Sequence, residues 1–309
     1  VVNIELQFPI QTPDRRPLLP AGARLSPETL DGLLRPGAEG SPPGIPLLDF
    51  DTVRRDLEGF LRQGAYKVIF GDPHRCASTM NLMEKVVLAR PFLEALRFFK
   101  RSDLYTYRHV LRVFALSILL ARDLESDYED LILEATAGPL HDFGKICVPL
   151  RILKKTTPLK RSERAALEHH TVAGFVLTGY YMKDFGSIAA KVAAEHHERR
   201  DGSGYPRGIA LRDRLVEIVV ACDVYDALIS PRPYRRVSYD NRTALEEITE
   251  MGSRGKLDWE IVEALVAVNR KGSPSSRICP VSVEKRGKPP EGNLYGVLLD
   301  DTSPGGSEE

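Results

Sequence analysis

The chain has 309 residues, of which 42% are hydrophobic and 28% charged. That is enough apolar chain to bury one large core or two modest ones. Lysine plus arginine and aspartate plus glutamate balance at 43 each, so no global charge draws it to nucleic acid or a membrane surface, and any anion site must be local. The four cysteines, Cys76, Cys147, Cys222 and Cys279, form no CxxC pair. This argues against a disulfide framework and a thiolate zinc site, and fits a reducing, cytoplasmic setting. No secretory signal is visible, and the apolar run over 110–121 contains Arg112 and is too short to span a bilayer.

In chain order, VVNIELQFPI alternates enough to predict a strand. LSPETLDGLL predicts a short helix with Ser26 as N-cap and Pro27 at its first position. GAEGSPPGIP is a linker, residues 51–63 read as helix, and AYKVIF at 65–70 as a second strand. Together these predict a small mixed α/β module over 1–90, regulatory or a partner surface. From about residue 79 the chain turns helical. Helices are predicted over 103–122, 162–182, 186–197, 214–228, 240–250 and 258–268, and Ser126 with Glu129 forms a capping box before the segment running to His141. Residues 91–270 therefore form an all-helical bundle, and the fold class is mainly α. The Pro- and Gly-rich tail over 271–309 is expected to be mobile, with at most one strand near LYGVLL.

Five of the seven histidines fall in short polar clusters: His109 in YTYRH, His141 in HDFGK, His170 in EHHTVAG, and His196 with His197 in HHE. His74 and His169 read as structural or solvated. Asp142 follows His141, and Asp223 sits inside the apolar run VVACDVYDAL. A carboxylate in such surroundings is costly to bury without compensation, and a metal ion is an economical partner. Adjacent helical residues point about 100° apart, so His196 and His197 cannot chelate one ion as an i, i+4 pair would. Near a helix end each can reach a different ion, and an aspartate can bridge two. Mixed imidazole and carboxylate donors suit iron, or alternatively manganese, better than structural zinc or magnesium.

HDFGKICVP, EHHTVAG, HHERRDGSGYP, DVYDALISPRPYR and GKLDWEIVEAL, in that order over about 103–268, resemble the HD-GYP family of metal-dependent phosphohydrolases. The resemblance implies an HD-GYP domain over 91–270 with an iron-type metal cluster that hydrolyses cyclic di-GMP to linear pGpG and on to GMP. By position its ligands fall on His109, His141, Asp142, His170, His196, His197 and Asp223. Its phosphate-contacting residues resemble Lys145, Arg232 and Arg235, and Tyr205 lies in a rim loop that meets substrate or a partner cyclase domain of GGDEF type. A binuclear centre would activate a bridging hydroxide for in-line attack, with Asp142 orienting and Lys145 absorbing charge. A second copy of the chain is a further candidate partner.

Three departures from the family pattern stand out. Tyr105 occupies the position of a glutamate associated with a third metal, so two metals are expected. Gly138-Pro139 intrudes before the HD pair, where Pro139 is expected to kink the chain. Glu217 stands where arginine is common. A slow or inactive domain that binds a cyclic dinucleotide or docks a protein is the alternative to a working enzyme. A nucleotide phosphohydrolase of the wider HD superfamily is less favoured because of the GYP segment.

Overall fold

The computed structural model describes residues 3–35, 44–125, 127, 131, 136–232, 237–270, 272, 279–291 and 297–301. Within these the chain forms thirteen α-helices and six strands of two or three residues. The mainly helical reading holds.

The N-terminal part pairs β1 (Ile10–Gln11) with β2 (Pro17–Leu19), antiparallel. Helix α1 (Pro27–Leu34) follows, and the Ser26 hydroxyl accepts from Thr29 N at 3.2 Å, as the N-cap reading requires. β3 (Ile45–Pro46) pairs with β4 (Val87–Leu88), and between them lie α2 (Val53–Leu61), α3 (Gly64–Ile69) and α4 (Pro73–Met83). The strand predicted at 65–70 is thus α3. Strand alternation would put Tyr66, Val68 and Phe70 on one face. Here Tyr66, Ile69 and Phe70 are buried while Val68 is 54% exposed, a helical division. On the buried side the Tyr66 hydroxyl reaches Asp226 at 2.9 Å.

The helical part begins with α5 (Arg90–Ser102) and α6 (Leu104–Leu124). Asp103 caps α6, accepting from the Thr106 hydroxyl at 2.6 Å. Helix α6 is the centre of the core: α2, α4 and α5 pack on it, and so do α11 (Arg214–Ile229) and α13 (Trp259–Val268). Leu111, Phe114 and Leu119 have no accessible surface, and truncating any of them to alanine would cost roughly 2–5 kcal/mol. Among the described residues α6 alone is long and apolar enough to cross a membrane, and it is mostly buried inside the protein. Its Arg112 is buried too, donating to Phe60 O at 3.3 Å and lying 4.8 Å from the Tyr66 ring centroid.

After α6 the capping-box pair Ser126 and Glu129 lies outside the described residues. A 3-10 turn at Gly138–Leu140 leads to the HD pair and a second one at Phe143–Cys147. Then come α7 (Leu150–Leu153), α8 (Arg161–Glu168), α9 (His170–Met182) and α10 (Ile188–Glu195). The 143–147 turn lies directly on α9. A Cβ on Gly144 would sit 1.9 Å from His170 O and 2.4 Å from Gly174 N, so only glycine allows this approach. Helix α12 (Asn241–Ser253) packs on α11 and α13. From the tail, β6 (Leu298–Leu299) pairs in parallel with β5 (Leu159–Lys160), close to the strand expected near LYGVLL.

Gly144→Ala must push the HD turn off α9. We expect a loss of about 2 kcal/mol or more in chemical denaturation. A change below about 0.5 kcal/mol would show that the contact is not tight.

Candidate metal centre

Five elements bring the seven predicted ligand residues together. His109 comes from the middle of α6, and His141 and Asp142 from the junction of the two 3-10 turns. His170 opens α9, His196 and His197 follow the last turn of α10, and Asp223 lies on α11. All but His197 are buried, and the His197 side chain keeps 20% of its surface.

The side chains form two groups. His109, His141 and Asp142 make one, and His170, His196 and His197 the other, with ligand atoms within 4.8 Å of each other in each. Asp142 spans both. Its Oδ2 is 3.5 Å from His141 Nε2 and 3.6 Å from His109 Nε2, while its Oδ1 is 3.5 Å from His170 Nε2 and 3.7 Å from His196 Nε2. Asp223 spans them as well, with Oδ1 3.0 Å from His109 Nε2 and Oδ2 3.9 Å from His197 Nδ1.

The imidazoles are oriented from behind. His141 Nδ1 donates to Gly138 O at 2.8 Å, His170 Nδ1 to Leu167 O at 2.5 Å, and His196 Nδ1 to Val192 O and Ala193 O at 3.1 Å each. A carbonyl accepts only from an N–H, so the proton sits on Nδ1 and each Nε2 presents a lone pair inward. His170 Nε2 and His196 Nε2 are 3.2 Å apart. Two lone pairs at that distance repel unless a cation lies between them. Burial keeps these rings neutral, pulling His170 down to about 3 and lowering His196 and His197 too. Neutral imidazoles beside ionised carboxylates are the donor set of a divalent metal, and the residues fit one.

The carboxylates are charged although burial opposes it. Lys145 and His141 hold Asp142 well below its ordinary value, and His109 with His197 does the same for Asp223. His109 differs from the other rings. Burial would lower it, but hydrogen bonds with Asp223 and Asp226 outweigh that and lift it to about 9. Protonated, it donates to both carboxylates, and without the Nε2 proton it offers a lone pair to a cation. Metal binding here must therefore release a proton.

Asp226 is the functional residue that sequence reasoning missed. Its Oδ2 accepts from His109 Nδ1 at 2.7 Å, and its Oδ1 accepts from Tyr66 at 2.9 Å and from Ser230 at 3.1 Å. The available signal was a second aspartate three residues after Asp223, on nearly the same face of an apolar helix.

A cavity of about 330 Å³ opens over the centre, lined by Lys145, Arg164, Arg199, Tyr205 and Arg232 among others. Lys145 Nζ lies 2.5 Å from Asp142 Oδ2. Tyr205 stacks on His197 with ring centroids 4.6 Å apart, and the Arg164 guanidinium lies 5.7 Å from the Tyr205 centroid. Arg164 belongs to a basic run that otherwise reads as solvated. Arg232 lies 5.1 Å from the ring of Tyr105, which itself stacks on His109 with centroids 5.6 Å apart. Arg235 lies outside the described residues.

The GYP loop is built around Glu198, whose buried carboxylate accepts from Arg207 N at 2.8 Å and Ile209 N at 3.1 Å. Gly202 has φ +77°, and a Cβ on Gly204 would lie 2.3 Å from His197 O. Both glycines are therefore required for the loop to fold back under Tyr205. The intruding Gly138-Pro139 forms the 3-10 turn whose carbonyl orients His141. Glu217 pairs with Arg200 at 2.9 Å, and Arg200 also reaches Asp258 at 2.5 Å.

The family model for the HD domain matches residues 95–261. A cyclic di-GMP phosphodiesterase of Thermotoga maritima is 36% identical over 172 residues, 55% of this chain and 46% of that protein. A cyclic di-GMP phosphodiesterase of Pseudomonas aeruginosa is 38% identical over 170 residues, covering 54% of this chain and 40% of the relative. A 3'3'-cGAMP-specific phosphodiesterase of Vibrio cholerae is 33% identical over 165 residues, 52% and 37% of the two chains. The chain spans less than half the length of each of these relatives.

Asp226→Asn keeps the shape but removes the charge behind His109. Metal affinity should fall roughly 10- to 100-fold with the fold intact, and a metal titration monitored by elemental analysis reads this directly. Glu217 supplies a pH test. Burial lifts it from 4.5 to about 7 although Arg200 opposes the shift. Its folded value lies above its unfolded one, so the folded state loses stability as pH rises from about 4.5 to about 7. Glu217→Gln should therefore gain on the order of 1–2 kcal/mol relative to the parent at pH 8 and nothing at pH 4. A variant less stable at pH 8 would mean that the Arg200 pair dominates.

Proposed function

Because the chain belongs to the HD domain family, we propose that it is a metal-dependent phosphodiesterase that opens cyclic di-GMP to linear pGpG, with GMP as the further product. One observation carries this reading: Asp142 turns one oxygen toward each of two groups of inward-facing imidazoles. That arrangement suits two divalent ions sharing a carboxylate, and the donor set favours iron, with manganese the alternative. The relatives named as cyclic di-GMP phosphodiesterases support the substrate assignment.

The ions would be held by His109, His141, His170, His196, His197, Asp142 and Asp223. When bound, they supply charge neutralisation and an acidified water. The chain's own residues do the rest. Asp142 holds the two groups in register. Lys145, which borders both Asp142 and the cavity, is placed to stabilise charge on a phosphoryl oxygen. Arg232 offers a planar fork to a phosphate, and Arg235 follows it in sequence as a further candidate. Tyr205 presents an aromatic face at the rim and, stacked on His197, limits the motion of that ring. The Tyr105 ring fills the corner next to His109, where a further carboxylate would be needed for a third ion.

The enzymatic reading is favoured over a docking module because two of the three departures leave the ligand set standing. Gly138 orients His141, and Glu217 engages Arg200 rather than a ligand. Around this domain we read residues 1–90 as a regulatory or partner module and 271–309 as a tail. The GYP loop would dock a GGDEF-type partner, a second copy could associate as a homodimer, and the setting would be the cytoplasm.

Iron-loaded protein assayed anaerobically should convert cyclic di-GMP to pGpG and lose that activity on chelation. Asp142→Ala should abolish turnover and Lys145→Ala should lower kcat by about 10²–10³. Preference for 3'3'-cGAMP would reassign the substrate, and product from mononucleotides alone would sink the reading.

A further inference from the structure

A second cleft, of about 590 Å³, lies between the β1–β2 hairpin, α5 and the end of α9. It shares no lining residue with the cavity over the metal centre. Five cationic side chains border it, Arg16, Arg90, Arg97, Arg101 and Lys183, against Asp14 and Glu94.

These cations are unevenly compensated. Glu94 is taken by Arg97, with Nη1 3.0 Å from both carboxylate oxygens, and by Arg90 at 3.5 Å. The Arg16 guanidinium donates to the Tyr180 hydroxyl at 2.7 Å, and Lys183 Nζ lies 4.5 Å from the Tyr180 ring centroid. Among the described residues, no carboxylate forms an ion pair with Arg16, Arg101 or Lys183. Asp14, which lines the cleft without an ion pair among the described residues, offsets one of these three cations, and the remaining positive charge favours an anion. Phe98 and Tyr181 add an aromatic wall to the same cleft.

Lys183 has φ +57°, Arg15 φ +65° and Asp51 φ +53°. Lys183 lines the cleft, Arg15 adjoins Arg16, and Asp51 reaches the lining residue Arg97 at 3.7 Å. Lys183 is the left-handed cap that ends α9, its N–H reaching Gly179 O, and Arg15 closes the β1–β2 turn through Thr12 O at 2.8 Å. Asparagine would fit the cap after α9 with less strain than Lys183 does.

We propose that this cleft binds a nucleoside phosphate. Arg16, Arg101 and Lys183 hold its phosphates, and its base lies against the wall of Phe98 and Tyr181. Ile146 lines this cleft while Lys145, its chain neighbour, lines the metal cavity and contacts Asp142. The site stands whichever phosphodiester the metal centre cleaves.

Calorimetric titration of the metal-loaded full chain with GTP and with pyrophosphate tests this. GTP should bind in a salt-sensitive manner. The double variant R101Q/K183N should remove one site per chain or weaken it at least tenfold. At that site pyrophosphate should bind at least tenfold more weakly than GTP. Because K183N relieves backbone strain, its Tm should match or exceed the parent's, which separates lost binding from lost folding. Equal GTP affinity and stoichiometry in parent and variant overturns the site, and pyrophosphate binding as tight as GTP overturns its nucleoside specificity.

Discussion

Histidine rings can gather in an apolar core only if something decides where their protons go. Here four backbone carbonyls and the Asp226 carboxylate accept hydrogen bonds from the Nδ1 atoms of His141, His170, His196 and His109. The opposite nitrogens are thereby turned toward Asp142. Once His109 gives up its Nε2 proton, the result is a buried concentration of electron pairs that are mutually repulsive and suited to cations. Every other feature of the domain either holds those acceptors still or shapes the cavity above them.

The scaffold that holds them is apolar. Helices α6 and α11 are buried over most of their length, and each carries ionisable groups in its middle: His109 and Arg112 on one, Asp223 and Asp226 on the other. None of these groups is left alone. Arg112 sits against Tyr66, Tyr66 donates to Asp226, and Asp226 holds His109. This chain of contacts runs from a helix of the N-terminal part to a candidate ligand.

Close approaches permitted by glycine set the rest. Gly144 lets the HD turn rest on α9, and Gly204 lets the GYP loop fold back onto His197 and Glu198. Through the second contact Tyr205 comes to stack on His197. The HD turn also faces two ways: Lys145 borders the metal cavity and Ile146 the cationic cleft.

Much of this was legible in the amino-acid order. Helical periodicity marked the helices that became α6 and α8 to α13, because an amphipathic or wholly apolar stripe is a local property. The seven candidate ligands stood out as polar clusters in apolar surroundings, a pattern that is costly without a metal. Three things were decided only by tertiary structure. Residues 65–70 are helical with Tyr66 turned inward to Asp226, a partner 160 positions away that local sequence does not reveal. Arg164 acquired its place because other elements approach it and has no local signature of its role, while the aspartate at 226 is conspicuous in its apolar helix but its partner His109 is 117 positions away. Which oxygen of Asp142 faces which imidazoles is likewise set by the packing of five separate elements, a geometry that spacing along the chain does not encode.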